Sequence, residues 1–466
     1  MRCAPVVLFS SILMGCGAPS SRGAAAPASQ SPAAAATLSA ASRGALAAVI
    51  RQSLRTELLA PWYPRAIDRE AGGFYSQFDY EWNATGAQDK MIVTQARHVW
   101  TTARAAQFFP ADTMLLAASA HGYRFLRDRM WDRRDDGFYW LVARDGTPKP
   151  ETDGRFVKQA YGQAFGIYGL AAYYDVSRDT SALRLAQQAF RWLDSHAHDP
   201  AHRGYFNYME RDGTPMRRGF ERNSAKDQNS SIHLLEAFTE LYRVWPDPTL
   251  RDRLHEMLVL IRDTIAREPG TLTLFSTAEW TPVSYRDSSE AARRADRYSH
   301  DHVSFGHDVE TAYLMLEAAE TLGLGRDSTT LRAAKKMLDH SVRTGWDERV
   351  GGFFEAGYYY AGQPTLTVVD STKNWWAQAE GLNTLLLFGV LYPGDPLRYT
   401  DKFSAQWRYI TTYLIDHEHG GWYMGGLDKQ PAMRTSLKGQ IWKGAYHDGR
   451  ALMNVARRLE HPGETR

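Results

Sequence analysis

The sequence predicts an all-α protein, a closed double ring of six helical hairpins forming an (α/α)6 barrel with short β-hairpins in its loops. Three observations predict it. First, a phrase recurs: an Asp, five residues ending in Gly, then an aromatic. It is read as DREAGGF from Asp68, DRRDDGF from Asp132, DPAHRGY from Asp199, DERVGGF from Asp347 and DHEHGGW from Asp416. The aromatics Phe74, Phe138, Tyr205, Phe353 and Trp422 are 64, 67, 148 and 69 positions apart. The interval of 148 is close to two periods, which places a degenerate sixth phrase near Leu274 to Trp280. Six units of about 70 residues then fill the chain. Second, long helical-period segments flank the phrases. Third, no strand and helix alternation is present to build a parallel sheet, and a repeat that stops at six with an aromatic-rich lining favours closure over an open solenoid.

Taken in order, Met1 to Gly15 has one basic residue, Arg2, an apolar run from Val6 to Met14, and the tetrad Leu13-Met14-Gly15-Cys16. The run is too short to span a bilayer and fits a signal peptide. The tetrad resembles a bacterial lipobox, so residues 1–16 are expected to be a lipoprotein signal, with Cys16 as the lipidated residue. Residues 17–42 are Ala/Ser/Pro-rich and expected to be a disordered tether, leaving 43–466 as the folded body. In each unit the Asp and Gly of the phrase make a turn. The residues after it (FYSQFDY, FYWLV, YFNYM, FFEAGYYY, WYMGG) have the β-propensity of a hairpin. Helices are expected over Leu46 to Leu59, Thr94 to Phe108, Val157 to Tyr174, Ser231 to Val244, His307 to Leu322, Trp375 to Phe388 and Gly444 to Leu459.

Charge and thiol content exclude several functions. Lys and Arg total 55 against 53 Asp and Glu, leaving no basic field for nucleic acid. Both cysteines, Cys3 and Cys16, belong to the signal, so the body has no disulfide, zinc-cysteine site or cysteine nucleophile.

In a repeat barrel the chemistry is expected at one phase of the unit. Arg97 lies 23 positions after Phe74, Tyr161 is 23 after Phe138, His233 is 28 after Tyr205, Trp376 is 23 after Phe353, and His447 is 25 after Trp422. His307, with Glu310 one turn later, takes the matching place in the degenerate unit. Six inner helices thus bring Arg, Tyr, three His, Glu and Trp to one rim. Each histidine alone could be structural; their shared phase is what points to a site. Arg97, in an apolar helix, calls for an anionic or strongly polar partner. A tryptophan at the rim, Trp375 or Trp376, offers a flat face for a sugar, while the other belongs to the core. Two near-neutral imidazoles can remove and return a proton beside a carbonyl, and an Arg with a third His can hold the resulting oxyanion. No HExxH-type spacing or acidic ligand cluster points to metal, and no cofactor is expected.

The segments WYPRAIDREAGGF, QARHVWTTARAA, NSSIHLLEAFTELY, SFGHDVETAYLMLEAA, KNWWAQAEGLNTLLLF and WKGAYHDGRALMNV, in this order, resemble the N-acylglucosamine 2-epimerase superfamily, most of all its cellobiose 2-epimerases. The resemblance covers the folded body. It implies an (α/α)6 barrel and metal-free proton abstraction and return at C2 of an opened sugar. It implies His307 and His447 as the acid/base pair, and His233 and Arg97 on the enediolate oxygens. Glu310 is implied in ring opening or in setting a histidine's state, Trp375 or Trp376 in stacking, and Glu380 in lining the site. The NWWAQAE phrase favours the disaccharide branch. A sugar is the expected partner, with the membrane met only through a lipid anchor outside the cytoplasm. Other readings are an N-acylglucosamine 2-epimerase, a monosaccharide aldose-ketose isomerase, a glycoside hydrolase using Glu310 and Glu380, and a glycan-binding lipoprotein.

Overall fold

The computed structural model describes residues 39–462, apart from 152, 221–223 and 296–299. The expected signal, its lipidated Cys16 and most of the tether lie outside the described residues. Twelve main helices form six inner and outer pairs. The outer ring comprises α1 (Ala40–Ser53), α3 (Thr113–Phe125), α5 (Thr180–Ala197), α7 (Pro248–Leu260), α9 (Ser328–Thr344) and α11 (Tyr399–Tyr413). The inner ring comprises α2 (Ile92–Phe108), α4 (Ala160–Ser177), α6 (Gln228–Val244), α8 (Phe305–Thr321), α10 (Trp375–Leu391) and α12 (Tyr446–Glu460).

Each inner helix packs on the next, and α12 returns to pack on α2, so the ring closes as the sequence expects. Inner helices are buried nearly all round; in α4, Gly169 lets the helix approach α2 so closely that a Cβ there would stand 2.8 Å from the Ala96 carbonyl oxygen. Outer helices bury one face only. In α9 that face includes Ala334, Met337, Leu338 and Ser341, and Asp327 caps the helix by accepting the Thr329 and Thr330 N–H groups.

The loops interlock neighbouring units. Before four of the inner helices the entering strand pairs antiparallel with the hairpin of the following unit: Lys90–Met91 with Leu141–Val142, Lys158–Gln159 with Tyr208–Met209, Lys226–Asp227 with Phe275–Ser276, and Val303–Ser304 with Ala356–Tyr358. The recurrent Asp does more than turn the chain. Asp68, Asp132, Asp199, Asp347 and Asp416 each pair with a buried lysine from the strand or loop leading into the inner helix, Lys90 (3.0 Å), Lys158 (3.2 Å), Lys226 (2.8 Å), Lys373 (2.8 Å) and Lys438. Removing one partner strands the other's charge. Asp199→Ala is expected to lower stability by about 3 kcal/mol or more, read by urea denaturation.

The degenerate phrase falls elsewhere than the sequence expects. Its pairing is Ala266 with Leu272, so the landmark is Leu272 in the stretch REPGTL, not the segment Leu274 to Trp280. Here Val303 stands in the lysine's place, so both halves of the ion pair are gone together.

All six inner helices start at the hairpin end, so the positive ends of their dipoles converge there. At the opposite end a polar cavity of about 340 Å³ is lined by Arg104, Asp175, Glu240, Arg243, Glu317 and Arg457, which places cations beside helix C-termini.

Candidate active site

Counting from Lys90, Lys158, Lys226, Val303 and Lys373, and in the last unit from Lys443 just before α12 and not from the Asp416 partner Lys438, gives a register independent of the aromatic landmarks. Position seven carries Arg97, Phe165, His233, Glu310, Glu380 and Arg450, one per inner helix. Tyr161 and Trp376 stand at position three, and His307 and His447 at position four. The expected single level is therefore two adjacent helical turns. The count slips because the stretch between the landmark and the lysine position varies from 16 to 31 residues.

The lower turn is a charged network. Arg450, fully buried, donates through Nη2 to Glu380 (2.7 Å) and Glu310, and through Nη1 to Glu236 and to the Tyr446 hydroxyl (2.5 Å). Tyr446 in turn donates to Glu236 (2.5 Å), and Tyr313 donates to Glu380 (2.7 Å). One guanidinium thus faces three carboxylates. Despite its burial, Glu236 is held down to about 2 by Arg450 and His233, whereas burial and the neighbouring Glu380 push Glu310 up to about 7. Burial also raises Glu380. Near neutral pH, Glu236 is the carboxylate that balances Arg450, while Glu310 titrates in that range. The sequence shows no acidic ligand cluster, yet the fold builds one: ligand-type atoms of Glu310, Glu380 and His447 lie within 4.8 Å of one another. The positive charge such a group draws is supplied by Arg450. That closeness also falls short of the roughly 6.5–9.5 Å between the carboxyls of an inverting hydrolase.

The upper turn carries the imidazoles. His447 Nδ1 lies 2.6 Å from Glu380 Oε1, His233 Nδ1 lies 2.8 Å from Glu236 Oε2, and His307 Nδ1 lies 2.8 Å from Ser304 Oγ. Among the described residues, none of the three Nε2 atoms has a protein partner. A carboxylate opposite Nδ1 fixes the proton there and leaves Nε2 as a lone pair. The Ser304 hydroxyl can donate or accept, so His307 is free to adopt either tautomer. The ring of Trp376 lies 4.7 Å from His307 and 5.7 Å from His447. Trp375 instead belongs to the core, 7% exposed, with the Lys443 ammonium over its ring. Of the two candidates, Trp376 faces the site and Trp375 does not.

Arg97 is buried and lies over the rings of Phe165 (4.4 Å) and Tyr446 (4.9 Å). It donates to the Tyr161 hydroxyl (3.1 Å) and the Trp442 carbonyl (3.3 Å), and among the described residues it has no carboxylate partner. The polar partners asked for by the sequence are present; a protein anion is not. Tyr161 also packs edge-on against His233 at 5.2 Å.

Burial holds His307 and His447 neutral. His307 is lowered to about 3, mainly by burial and secondarily by nearby His233, His302 and Arg97, and His447 is lowered well below its usual range by burial with Arg97 and Arg450 beside it. His98, stacked on Phe74, is lowered to about 3 by burial alone. A histidine lowered on folding takes up protons in the unfolded chain first, so its contribution is intact above about 6.5 and is lost as pH falls toward 3. The unfolding constant is expected to rise by about tenfold per pH unit per such histidine in that window, and His98→Phe should flatten the slope by one unit, measured by denaturant titration at several pH values.

Arg450, Glu236, Tyr446 and Tyr313 are absent from the residues singled out by sequence. The lysine register would find Arg450, which stands seven residues after Lys443 as Glu380 stands seven after Lys373.

Comparison with known proteins places this geometry in a family. A family model described as N-acylglucosamine 2-epimerase matches residues 73–448. A cellobiose 2-epimerase of Bacteroides fragilis is 28% identical, over 87% of this chain and 97% of its own length. A D-mannose isomerase of Marinomonas mediterranea is 23% identical over 86% of this chain and 95% of its own. The solved structure of a cellobiose 2-epimerase from Spirochaeta thermophila superposes with a TM-score of 0.77 at 28% identity, covering 91% of this chain and 99% of that one.

Proposed function

The chain belongs to the N-acylglucosamine 2-epimerase family and is a carbohydrate epimerase or isomerase, and on that premise we propose that it inverts C2 of the reducing-end glucose of a β-1,4-linked disaccharide such as cellobiose, giving mannose. The observation that carries the reading is Arg97, a buried guanidinium without a carboxylate among the described residues, beside two neutral imidazoles set against one tryptophan ring.

The chemistry follows from those groups. The opened sugar lies on Trp376, with its C1 carbonyl toward Arg97 and His233. One imidazole Nε2 takes the C2 proton, the C–H pair becomes the C1=C2 bond, and O1 takes the negative charge. Arg97 and the converging helix N-termini stabilise that oxyanion, while the Nε2 lone pair of His233 can accept the hydroxyl hydrogen on O2. The anion in turn stabilises the imidazolium beside it. The second imidazole, which has first taken a proton from solvent onto Nε2, returns it to the other face of C2 and ends neutral. His447 and His307 exchange these roles with the direction of reaction. Glu380 orients His447 and steadies its charged form, a task the sequence reading assigned less definitely to Glu310, whose oxygen lies 4.0 Å away. Arg450 fixes both carboxyls.

A disaccharide is favoured over a monosaccharide by Trp442. It is one of three exposed large apolar residues among those described, 44% exposed, and its ring lies 5.9 Å from Trp140 and 6.4 Å from Tyr161. An exposed aromatic face above the catalytic rings suits a second sugar ring. Trp442→Ala is expected to raise KM for cellobiose several-fold and leave KM for a monosaccharide unchanged; an equal change for both would count for the monosaccharide reading. The aldose-ketose alternative uses the same enediolate, reprotonated at C1, and ketose as the main product would select it.

The lipobox-like tetrad supports a location outside the cytoplasm with Cys16 as the lipid attachment point. Cys16→Ala is expected to move the protein from the membrane to the soluble fraction; full retention on membranes would refute the anchor.

A further inference from the structure

The unit that carries His307 departs from its neighbours in one buried detail. In three units a glutamine of the inner helix grips the landmark aromatic through both amide atoms. Gln95 accepts the Phe74 N–H and donates to the Phe74 carbonyl, both at 2.8 Å. Gln163 does the same with Phe138 (2.8 and 2.9 Å), and Gln378 with Phe353 (2.8 and 2.8 Å). Each glutamine stands five residues after its unit's lysine.

The residue five after Val303 is Asp308, fully buried, directly after His307. Its Oδ1 accepts the Leu272 N–H at 3.1 Å, repeating half of the glutamine's grip, while Oδ2 has no hydrogen-bond partner among the described residues. Around it stand His307, Tyr359 and, through Tyr359, His340; the cations on this side are Arg286, bonded to the Tyr359 carbonyl, and Arg343 near His340, and among the described residues neither pairs with Asp308. His307 is neutral and turned to Ser304. Tyr359, which feels Asp308, is raised by burial. His340 of α9, bonded to the Tyr359 hydroxyl at 2.8 Å, is lowered to about 4. The lysine that neutralises the corresponding region elsewhere is Val303. Asp448, at the same position behind His447, is the internal contrast, since there Lys443 supplies a nearby cation. An ionised carboxylate with an unbonded oxygen, no paired cation and no solvent costs several kcal/mol.

We propose that Asp308 is a neutral carboxylic acid in the folded enzyme, standing where other units carry a neutral glutamine amide, so that the wall behind His307 carries no charge. It is a positioning residue. An anion one residue from His307 would favour the imidazolium and hold His307 as a fixed acid. This second half rests on the acid/base reading of His307; the protonation of Asp308 does not.

The test compares the full-length protein with Asp308→Asn. A carboxyl raised on folding contributes stability that is whole below about pH 4 and is lost as pH rises. The ratio of wild-type to variant unfolding constants is therefore expected to grow about tenfold per pH unit above pH 4, read by urea titration from pH 4 to 8. A flat ratio overturns the proposal. Should the variant fail to fold, infrared spectra of wild-type protein labelled with carboxyl-13C aspartate decide, through a protonated-carboxyl band that persists at pH 7 or is absent. The acid limb of kcat/KM is expected to coincide in Asp308→Asn and wild type, with rates within a few-fold; a displaced limb overturns the uncharged wall. Unfolding and infrared readouts involve no sugar, so they stand apart from any failure of the epimerase reading.

Discussion

His447→Asn is expected to lower kcat for epimerisation by about 10²–10⁴-fold, the usual share of a positioned acid/base group, with little change in the thermal midpoint. The substitution keeps a polar group opposite Glu380 but removes the only atom of that side chain able to carry a proton to and from C2. Its effect separates catalysis from binding: KM should change little, because Trp376, Arg97 and the second-ring contact remain. Exchange of the C2 hydrogen with solvent is expected to fail with the same severity as net epimerisation if His447 serves as base in the direction assayed. If it serves as the acid, exchange into recovered substrate should persist while product formation stops. The pair of rates, measured with His307→Asn beside it, assigns the roles of the two imidazoles.

Arg450→Met is the second large effect, and it acts on both fold and chemistry. Methionine keeps the apolar stem of the arginine and removes the guanidinium. What is lost is the single cation bonded to Glu236, Glu310 and Glu380. Leaving buried carboxylates without their partner costs about 3–5 kcal/mol. The deficit has a direction with pH. Glu236, held down to about 2 in the wild type with Arg450 as its principal counter-charge, rises in the variant and takes up a proton, so the variant's deficit should shrink as pH falls toward 4. Denaturant titration at pH 4.5 and 7.5 checks this; an equal deficit at both would mean that Arg450 acts through packing. Activity should fall as well, because Glu380 no longer holds one charge state opposite His447.

The barrel is legible in the sequence because its turn chemistry repeats: each phrase places Asp and Gly where the backbone requires them, and the spacing counts the units. The three rim histidines and Arg97 are legible because polar residues stand out in helices otherwise built to pack. Two things are hidden. The lysine that answers each recurrent Asp comes at a variable distance, since loop length is free once strand pairing fixes the ends, so neither the ion pairs nor the true register shows in a count from the aromatics. Arg450 looks like one more charge in a helix that also carries Arg457 and Arg458; only closure of the ring, which sets α12 between α10 and α2, brings it against three carboxylates from three other helices. Trp375 and Trp376 are adjacent, and which faces the core depends on helix rotation, which sequence alone leaves open.

The central claim is proton exchange at C2 through an enediolate. Purified protein incubated with cellobiose in deuterium oxide, followed by NMR of the products, tests it most directly. The expected result is the glucosyl-mannose epimer carrying deuterium at C2, with no free monosaccharide. An epimer that keeps its original hydrogen at C2, or release of free glucose without epimer, would contradict it.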